Sequence, residues 1–247
     1  MKGCSENLPG RNNMSHFTHI FKREFRSYFL SPIAYIVISI FLLVTGWFFF
    51  STFFIYNQAS LRIFFNLLPI IFSFVVPAIT MRLFSEELNI GSYEILRTMP
   101  VTLLDIVLGK FTAALVFIGV MLIPTLAYPA CISFLGKLDW GPVVGGYIGA
   151  LFLGAVYSSI GLFASSLTRN QIIAFIIGIA VCFGLTLVDK MLFFLPGALV
   201  GFFQHLGADY HFQNISKGVI DSRDLLYFIS TGFVGLYATG LVLKGRN

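Results

Sequence analysis

The chain has 247 residues, of which 57% are hydrophobic, 17% aromatic and only 11% charged. An ordinary soluble domain carries roughly 25% charged residues, so this composition excludes such a domain and indicates an integral membrane protein. The net charge of +5 needs no nucleic acid as a partner, because the basic residues follow the membrane topology described below.

The N-terminal stretch, residues 1–14, is polar. Its sequence, MKGCSENLPGRNNM, is rich in glycine and asparagine, and we expect a mobile tail with no function of its own. The remainder, residues 15–247, is expected to form one six-span membrane domain.

The segment from Ser15 to Leu30 is amphipathic. At 100° per residue, one arc carries apolar side chains and the opposite arc carries polar and basic ones. We expect a helix along the inner leaflet, with aromatic rings at the acyl boundary and cations toward anionic headgroups of the lipid bilayer. The apolar arc consists of Phe17, Ile20, Phe21, Phe25 and Tyr28, and the polar arc of His19, Lys22, Arg23 and Arg26.

Glu24 departs from this pattern because it falls on the apolar arc, where a lone carboxylate is costly to bury. Two interpretations remain open: it snorkels to the interface, or it pairs with Arg82 or Arg169. The next helix should begin at Ser31-Pro32, since serine is a good cap and proline suits the first helical position.

Six apolar stretches approach or exceed the roughly 20 residues that cross the ~30 Å hydrocarbon layer as a helix. They are too long and continuous for alternating barrel strands, so helices are expected. The third contains Pro124 and Pro129, which predict a bend or break in its outer half. Pro69 and Pro77 act similarly in the second, although membrane helices also tolerate proline as a packing feature. The stretches are about 32–54, 61–80, 103–135, 142–167, 171–188 and 225–243.

The segment 81–104, between the second and third spans, holds most of the charges in the middle of the chain. Ser85 can cap a short helix whose first turn contains Glu86 and Glu87, where carboxylates oppose the positive end of the helix dipole. Gly91 is expected to end that helix.

A second short helix is expected to follow, starting at Ser92 and stopping before Pro100. Its apolar side chains lie between charges and form a knob that can fill a groove on a partner; a solvated loop without a partner is the alternative. Thr102 and Asp105 then resemble a capping box at the start of the third span. The knob comprises Tyr93, Ile95, Leu96 and Met99, flanked by Glu94 and Arg97.

The basic residues predict the orientation. With the N-terminus in the cytoplasm, eleven fall on the cytoplasmic side and five outside, and the inverted topology reverses that bias. Both termini are therefore expected in the cytoplasm. The inner set is Lys2, Arg11, Lys22, Arg23, Arg26, Arg82, Arg97, Lys110, Arg169, Lys244 and Arg246, and the outer set is Arg62, Lys137, Lys190, Lys217 and Arg223.

The fourth span carries Gly141, Gly145 and Gly149 at intervals of four. Small residues at this spacing let helix backbones approach closely, so this face should pack on another helix, either within the chain or across a dimer.

The fifth span ends at Asp189 and Lys190, which either form an ion pair or mark the point where the helix reaches water. The following segment is too short and too broken by Pro196, Gly197 and Gly201 for another crossing. We expect a re-entrant or surface-lying helical hairpin on the outer face, followed by the last span from Ser222.

Several chemistries are disfavoured. The sequence has no G-x-x-x-x-G-K-[ST] phosphate-binding loop, so ATP must be handled by another polypeptide. Its four histidines, His16, His19, His205 and His211, lack a metal-site spacing, and no serine or cysteine stands in a recognisable nucleophile motif. We therefore expect no catalytic residue, no metal and no cofactor bound by this chain.

The order of motifs in the central segment resembles a known family. Arg82, the pair Glu86-Glu87, GSYEIL, the proline of TMP and a Gly-Lys opening the next span resemble the cytoplasmic loop of type-2 ATP-binding-cassette exporter permeases. The segments FKREFRSYFLSPIAYIVISIFLLVTGWFFF and FQNISKGVIDSRDLLYF resemble the branch associated with bacterial gliding motility.

The resemblance implies an all-α, six-span permease subunit in the bacterial inner membrane, which dimerises with itself or a different permease. It binds an ATP-binding-cassette ATPase, which holds ATP and magnesium. Its coupling residues would be Arg82, Glu86, Glu87, Gly91, Tyr93, Glu94, Leu96, Arg97 and Pro100. The interfacial helix would use Phe17, Phe21, Lys22, Arg23, Glu24, Phe25 and Arg26, and the outer gate Asp189, Lys190, Pro196 and Gly197.

A second hypothesis remains: a self-sufficient carrier or channel, or a membrane scaffold within a larger assembly such as a motility or secretion machine. Only the exporter subunit needs a loop that docks on an ATPase, so the segment 81–104 discriminates between the two.

Overall fold

The computed structural model describes residues 9–56, 60–93, 101–136, 138–191, 201, 205–219 and 221–245. Within these ranges the regular structure is helical, without a β-strand. The helices are α1 (Pro9–Leu30), α2 (Pro32–Tyr56), α3 (Arg62–Thr80), α4 (Arg82–Ile90), α5 (Leu103–Leu122), α6 (Ala127–Leu135), α7 (Trp140–Leu167), α8 (Gln171–Met191), α9 (Ala208–Ser216) and α10 (Ser222–Gly245).

Six helical stretches are long and apolar enough to cross a membrane, which confirms the six predicted spans. Large apolar side chains point away from the bundle, as in Trp47, which is 74% exposed, and Phe233, which is 67% exposed. Such a surface suits hydrocarbon and not water. The stretches are Pro32–Ser51, Arg62–Ile90, Leu103–Phe134, Trp140–Leu167, Gln171–Met191 and Ser222–Gly245.

The first helix starts earlier than expected, at Pro9, and so includes the last six residues of the predicted tail. It packs against α5 and α2, with Ile20 and Tyr28 buried and Lys22 and Arg26 exposed. The arc predicted to face lipid therefore packs at least in part on protein, and the expected position of this helix along the inner leaflet stays a prediction.

The first and third spans begin at the predicted signals. Ser31 caps α2, since the Ile33 N–H donates to its Oγ over 3.4 Å. Thr102 and Asp105 form the expected capping box at the start of α5. The third span breaks at a 3₁₀ turn over Ile123–Leu126, as Pro124 predicted, because proline cannot donate to the preceding turn.

The prediction that Ser85 caps a separate short helix is wrong. The second span continues through α4 after a single turn residue, Met81, and Ser85 lies buried inside α4. Its hydroxyl donates to the Met81 carbonyl oxygen, a side-chain bond within the helix that competes with capping. Gly91 does end the helix, with a left-handed φ of 80°.

The fourth span, α7, is the most buried and packs against α3, α5, α8, α9 and α10. Small residues let these helices approach: a Cβ at Gly146 would overlap the Phe65 ring, and one at Gly161 would overlap Thr80. The expected glycine contact is confirmed within the chain, where Gly145 and Gly149 face Ile215 and Phe212 of α9. A Cβ at Gly149 would lie 3.2 Å from the Phe212 ring.

Candidate functional site

The spans alternate in direction, so the connections fall at two ends of the bundle. One end, here called the α4 end, contains α1, α4 and the start of α5. The other, the α9 end, contains α9 and the start of α10. Ionisable side chains gather inside the protein at both ends.

Lys110 is the centre of the charges at the α4 end. It stands on α5 and is 1% exposed. Its Nζ lies 3.1 Å from Glu24 Oε1 of α1 and 2.9 Å from Glu87 Oε1 of α4, and it donates to the Leu83 carbonyl oxygen over 2.7 Å. One ammonium group thus uses its three donors to join three helices.

Arg23 closes the arrangement from its more exposed side. One guanidinium nitrogen lies 2.7 Å from Glu24 Oε1 and 2.9 Å from Glu87 Oε1. The charged cluster, which we define as Arg23, Glu24, Glu87 and Lys110, therefore has two cations and two anions. Balanced charges and mutual hydrogen bonds offset the cost of removing these groups from water.

The cations of the cluster change the pKa of Glu24. Burial alone would raise the pKa of its carboxyl, but Lys110 and Arg23 outweigh that effect and hold the pKa below its usual range. Glu24 is thus an anion at neutral pH although its side chain is only 12% exposed. Of the two interpretations of Glu24, the pairing with Arg82 or Arg169 is wrong: its described partners are Arg23 and Lys110.

A serine of α7 holds α4 from its other side. The Ser165 hydroxyl accepts the Phe84 and Ser85 N–H groups over 2.9 and 3.0 Å and donates to the Met81 carbonyl oxygen over 2.8 Å. These are the backbone groups where α3 passes into α4. The hydroxyl satisfies them where the regular helical ladder is interrupted.

A groove of about 330 Å³ opens beside the charged cluster, and we call it the α4 groove. The Arg82 guanidinium lies 5.0 Å from the centre of the Tyr28 ring, a cation–π contact. No described carboxylate forms an ion pair with Arg82. The groove is lined by Arg23, Glu24, Ser27, Tyr28, Arg82, Leu83, Glu86, Glu87, Ile90, Ser92 and Lys110.

The structure brings together part of the predicted coupling set. Glu87 enters the charged cluster, Glu86 and Arg82 line the groove, and Gly91 caps α4. Tyr93 is 4% exposed, with its ring 6.5 Å from that of Phe84. The predicted residues Glu94, Leu96, Arg97 and Pro100 lie outside the described ranges.

Among the predicted interfacial residues, Arg23 and Glu24 turn inward to the charged cluster. Phe21 and Phe25 stack with their ring centres 5.7 Å apart, while Phe17 is partly buried and Lys22 and Arg26 are exposed.

Sequence reasoning missed Lys110 as a functional residue. It entered the sequence analysis only as one basic residue of the inner set and as the lysine of the Gly-Lys that opens the third span. A signal was present, because Lys110 stands seven positions after the start of a helix whose only other charged residue is Asp105 in the first turn. An ionisable residue within a span usually has a partner inside the protein.

At the α9 end, Asp189 and Lys190 do not pair with each other. Asp189 Oδ2 accepts the Tyr210 N–H of α9 over 2.8 Å, and Lys190 Nζ lies 2.8 Å from Asp209 Oδ2. Both residues thus hold α9 to the end of α8. The other predicted gate residues, Pro196 and Gly197, lie outside the described ranges, as does most of the expected hairpin.

The donor sets at the two ends do not resemble a metal centre: within the described ranges, no group of three or more His, Cys, Asp or Glu side chains is placed to hold an ion. Comparison with known protein families gives no match for this chain, and neither does comparison with curated proteins.

Proposed function

We propose that the chain is the membrane subunit of an ATP-driven exporter of the type-2 ATP-binding-cassette kind. In this proposal the spans form the export path, and α4 with the segment after it docks on a separate ATPase. That ATPase binds ATP and magnesium, and this chain performs no catalysis.

The observation that carries the proposal is the charged cluster. A docking element transmits force to the spans only if it is firmly attached to them. Lys110 attaches α4 to the third span through Glu87 and the Leu83 carbonyl, and Arg23 attaches it to α1. These are short, charge-assisted contacts, which are roughly twice as strong as neutral hydrogen bonds.

The surface beside the cluster suits a protein partner. Glu86 is exposed, Ile90 is 72% exposed, and Arg82 lies in the α4 groove with its positive charge unpaired by any described carboxylate. An apolar side chain beside charges of both signs offers a partner a hydrophobic anchor with a polar rim. The eleven-to-five bias of basic residues supports a cytoplasmic position for this surface, where an ATPase would find ATP.

The remaining features of the proposal follow from the same family. The chain would lie in the bacterial inner membrane with both termini cytoplasmic, would pair with a second permease subunit, and would contact lipid through α1. The resemblance of the motifs from Arg82 to Lys110 supports these expectations.

The test first asks whether the adjacent reading frame encodes an ATP-binding-cassette ATPase. If it does, the test measures co-purification of the two chains and the ATPase rate that the complex supports. Glu86→Lys, Glu94→Lys and Leu96→Asp should each weaken association, because contacts at an interface centre typically contribute about 2 kcal/mol or more. That corresponds to roughly a 30-fold loss in affinity.

Asp139→Lys is the matched control, since it reverses one exposed charge at the α9 end and should leave association unchanged. If all three α4-end variants co-purify with the ATPase and stimulate it as the parent does, this segment is not the coupling element. If the purified chain alone moves a solute across vesicles without ATP, the self-sufficient carrier is the correct reading.

A further inference from the structure

The short helix α9 packs against four spans, α3, α7, α8 and α10, at the end opposite to α4. Its apolar side packs on α7 through Phe212 and Ile215, and its first turn is held to α8 by Asp189 and Lys190. Its third attachment is His211, which reaches the first turn of α10.

His211 makes two polar contacts, one with each ring nitrogen. Nδ1 lies 2.6 Å from Asp224 Oδ1, and Nε2 lies 3.1 Å from the His205 carbonyl oxygen. Both His211 and Asp224 are buried, with side chains 5% and 4% exposed. Tyr227 covers the imidazole, with its ring stacked 4.1 Å away, and donates its hydroxyl to the Leu206 carbonyl oxygen over 2.7 Å.

These contacts determine how many protons the pair holds. A carbonyl oxygen only accepts, so Nε2 must carry a proton to bond His205. A neutral ring would then set its Nδ1 lone pair against an ionised carboxylate at 2.6 Å, which is repulsive. The contact is favourable only when one more proton is present between Nδ1 and Oδ1.

We propose that the buried pair of His211 and Asp224 is a proton-binding site that latches α9 to the last span. In the latched state His211 is an imidazolium and Asp224 a carboxylate. The stacked Tyr227 ring favours the positive charge on the imidazole, and the imidazolium balances a carboxylate that would be costly to bury alone.

The proton also balances its surroundings. The carboxyl groups of Asp189, Asp209 and Asp224 lie near Lys190 and His211. Loss of the proton would remove the positive charge of His211, one of the two that face these carboxyl groups. The titratable groups that face His211 are Asp189 of α8, Tyr210 of α9, Asp224 and Tyr227 of α10, and His205 in the segment before α9. Behind them lie Asp209 of α9, its ion-pair partner Lys190 of α8, and Tyr157 of α7.

Release of the proton must break one of the two contacts of His211, because a neutral ring has a single N–H. The attachment of α9 to α10 therefore weakens as pH rises, while Asp189 and Lys190 still hold α9 to α8. In consequence the first turn of α10 separates from α9 as pH rises, while α8 stays attached to α9.

The experiment measures amide hydrogen exchange of α9 in the full chain in lipid nanodiscs, from about pH 5 to pH 8, where histidine usually changes charge. Rates are divided by those of an unstructured peptide at the same pH. In the parent chain, protection should fall with rising pH by up to tenfold per unit, the slope for one linked proton.

Two variants distinguish the effect of the extra proton from the effect of the two hydrogen bonds of His211. Asp224→Asn keeps both bonds without an extra proton, because the amide N–H₂ can donate to a neutral Nδ1, so α9 should stay protected at every pH. His211→Phe removes the latch, so protection should be low and independent of pH. His205→Gln, which alters an exposed histidine and keeps its carbonyl, should behave as the parent.

A parent chain without pH dependence would overturn the proposal, and so would Asp224→Asn with the slope of the parent. A second measurement does not depend on variants that fold poorly: nitrogen NMR of the parent's labelled histidines at about pH 6. One histidine should show both ring nitrogens protonated with exchange slowed by burial. If every histidine with slowed exchange is neutral, His211 holds no extra proton and the latch does not exist.

Discussion

Replacing Lys110 by methionine tests the charged cluster directly. Methionine approximately preserves the length and apolar stem of lysine, but it removes the ammonium that contacts Glu24, Glu87 and the Leu83 carbonyl. Arg23 then remains as the sole cation of the cluster, against two carboxylates. Glu87 Oε2 already lacks a hydrogen-bond partner among the described residues, so its local environment offers no replacement.

Removing one partner of a buried ion pair costs about 3–5 kcal/mol, because the remaining charge is left uncompensated. We therefore expect Lys110→Met to lower the free energy of unfolding by about that amount. The assay is reversible unfolding in mixed micelles with a denaturing detergent. Lys244→Met is the control, since Lys244 is exposed and forms no ion pair with a described residue; its effect should stay within about 0.5 kcal/mol.

A double variant separates the charge imbalance from lost packing. Adding Glu87→Gln to Lys110→Met leaves Arg23 and Glu24 as a balanced pair. The two changes together should therefore cost less than the sum of each alone, with a coupling energy of about 0.5–3 kcal/mol. Additive costs, or a Lys110→Met cost no larger than that of Lys244→Met, would refute the cluster as an electrostatic unit.

Three further outcomes follow from local contacts. Because the cations depress the pKa of Glu24, its charge stabilises the fold above the ordinary glutamate pKa of about 4.3, and this stabilisation is lost as pH falls through the lower pKa of the folded state. The free energy of unfolding of the parent should therefore approach that of Glu24→Gln in acid. A difference between the two that does not change with pH would contradict this. Ser165→Ala leaves two buried N–H donors without their acceptor and should lower the free energy of unfolding by about 1–3 kcal/mol in the same assay. Ser166→Ala is the control, since it removes only a bond within its own helix. Equal losses for the two variants would argue against the Ser165 contact. Gly91→Ala forces an alanine into a left-handed conformation and should destabilise the fold by about 1–2 kcal/mol. Gly184→Ala, at an open position of α8, should instead stabilise the fold by about 0.5–1 kcal/mol. Thermal unfolding in which both variants shift the midpoint in the same direction would contradict the role of Gly91 as the helix cap.

The sequence was sufficient for features that depend on neighbouring residues. The spans could be located because a run of about 20 apolar residues is itself the cause of insertion. The cap at Thr102 and the helix end at Gly91 were likewise predictable, since the capping box spans four residues and a left-handed position favours glycine.

The candidate site was harder, because its contacts join distant parts of the chain. Glu24 and Lys110 are 86 positions apart and Arg23 and Glu87 are 64 apart, so no periodicity relates them. Which carboxylate meets which cation depends on the rotation of each helix about its axis. For that reason the sequence identified Glu24 as anomalous but did not identify Arg23 and Lys110 as its partners. Ser165 gave no signal at all, since a serine in a membrane helix usually bonds its own backbone.

The continuation of the second span into α4 has a mechanical consequence. Arg62–Ile90 is a helical stretch of 29 residues, which at 1.5 Å per residue is about 43 Å long, roughly 13 Å more than the hydrocarbon layer is thick. Ser165 holds it where the nine residues of α4 meet the nineteen of α3, and so divides it into arms of about 13 and 28 Å. If the stretch turns as a rigid body about that grip, a sideways step of about 1 Å at Ile90 moves Arg62 about 2 Å the opposite way. A modest push on one side of the bilayer is thereby enlarged, and reversed, on the other.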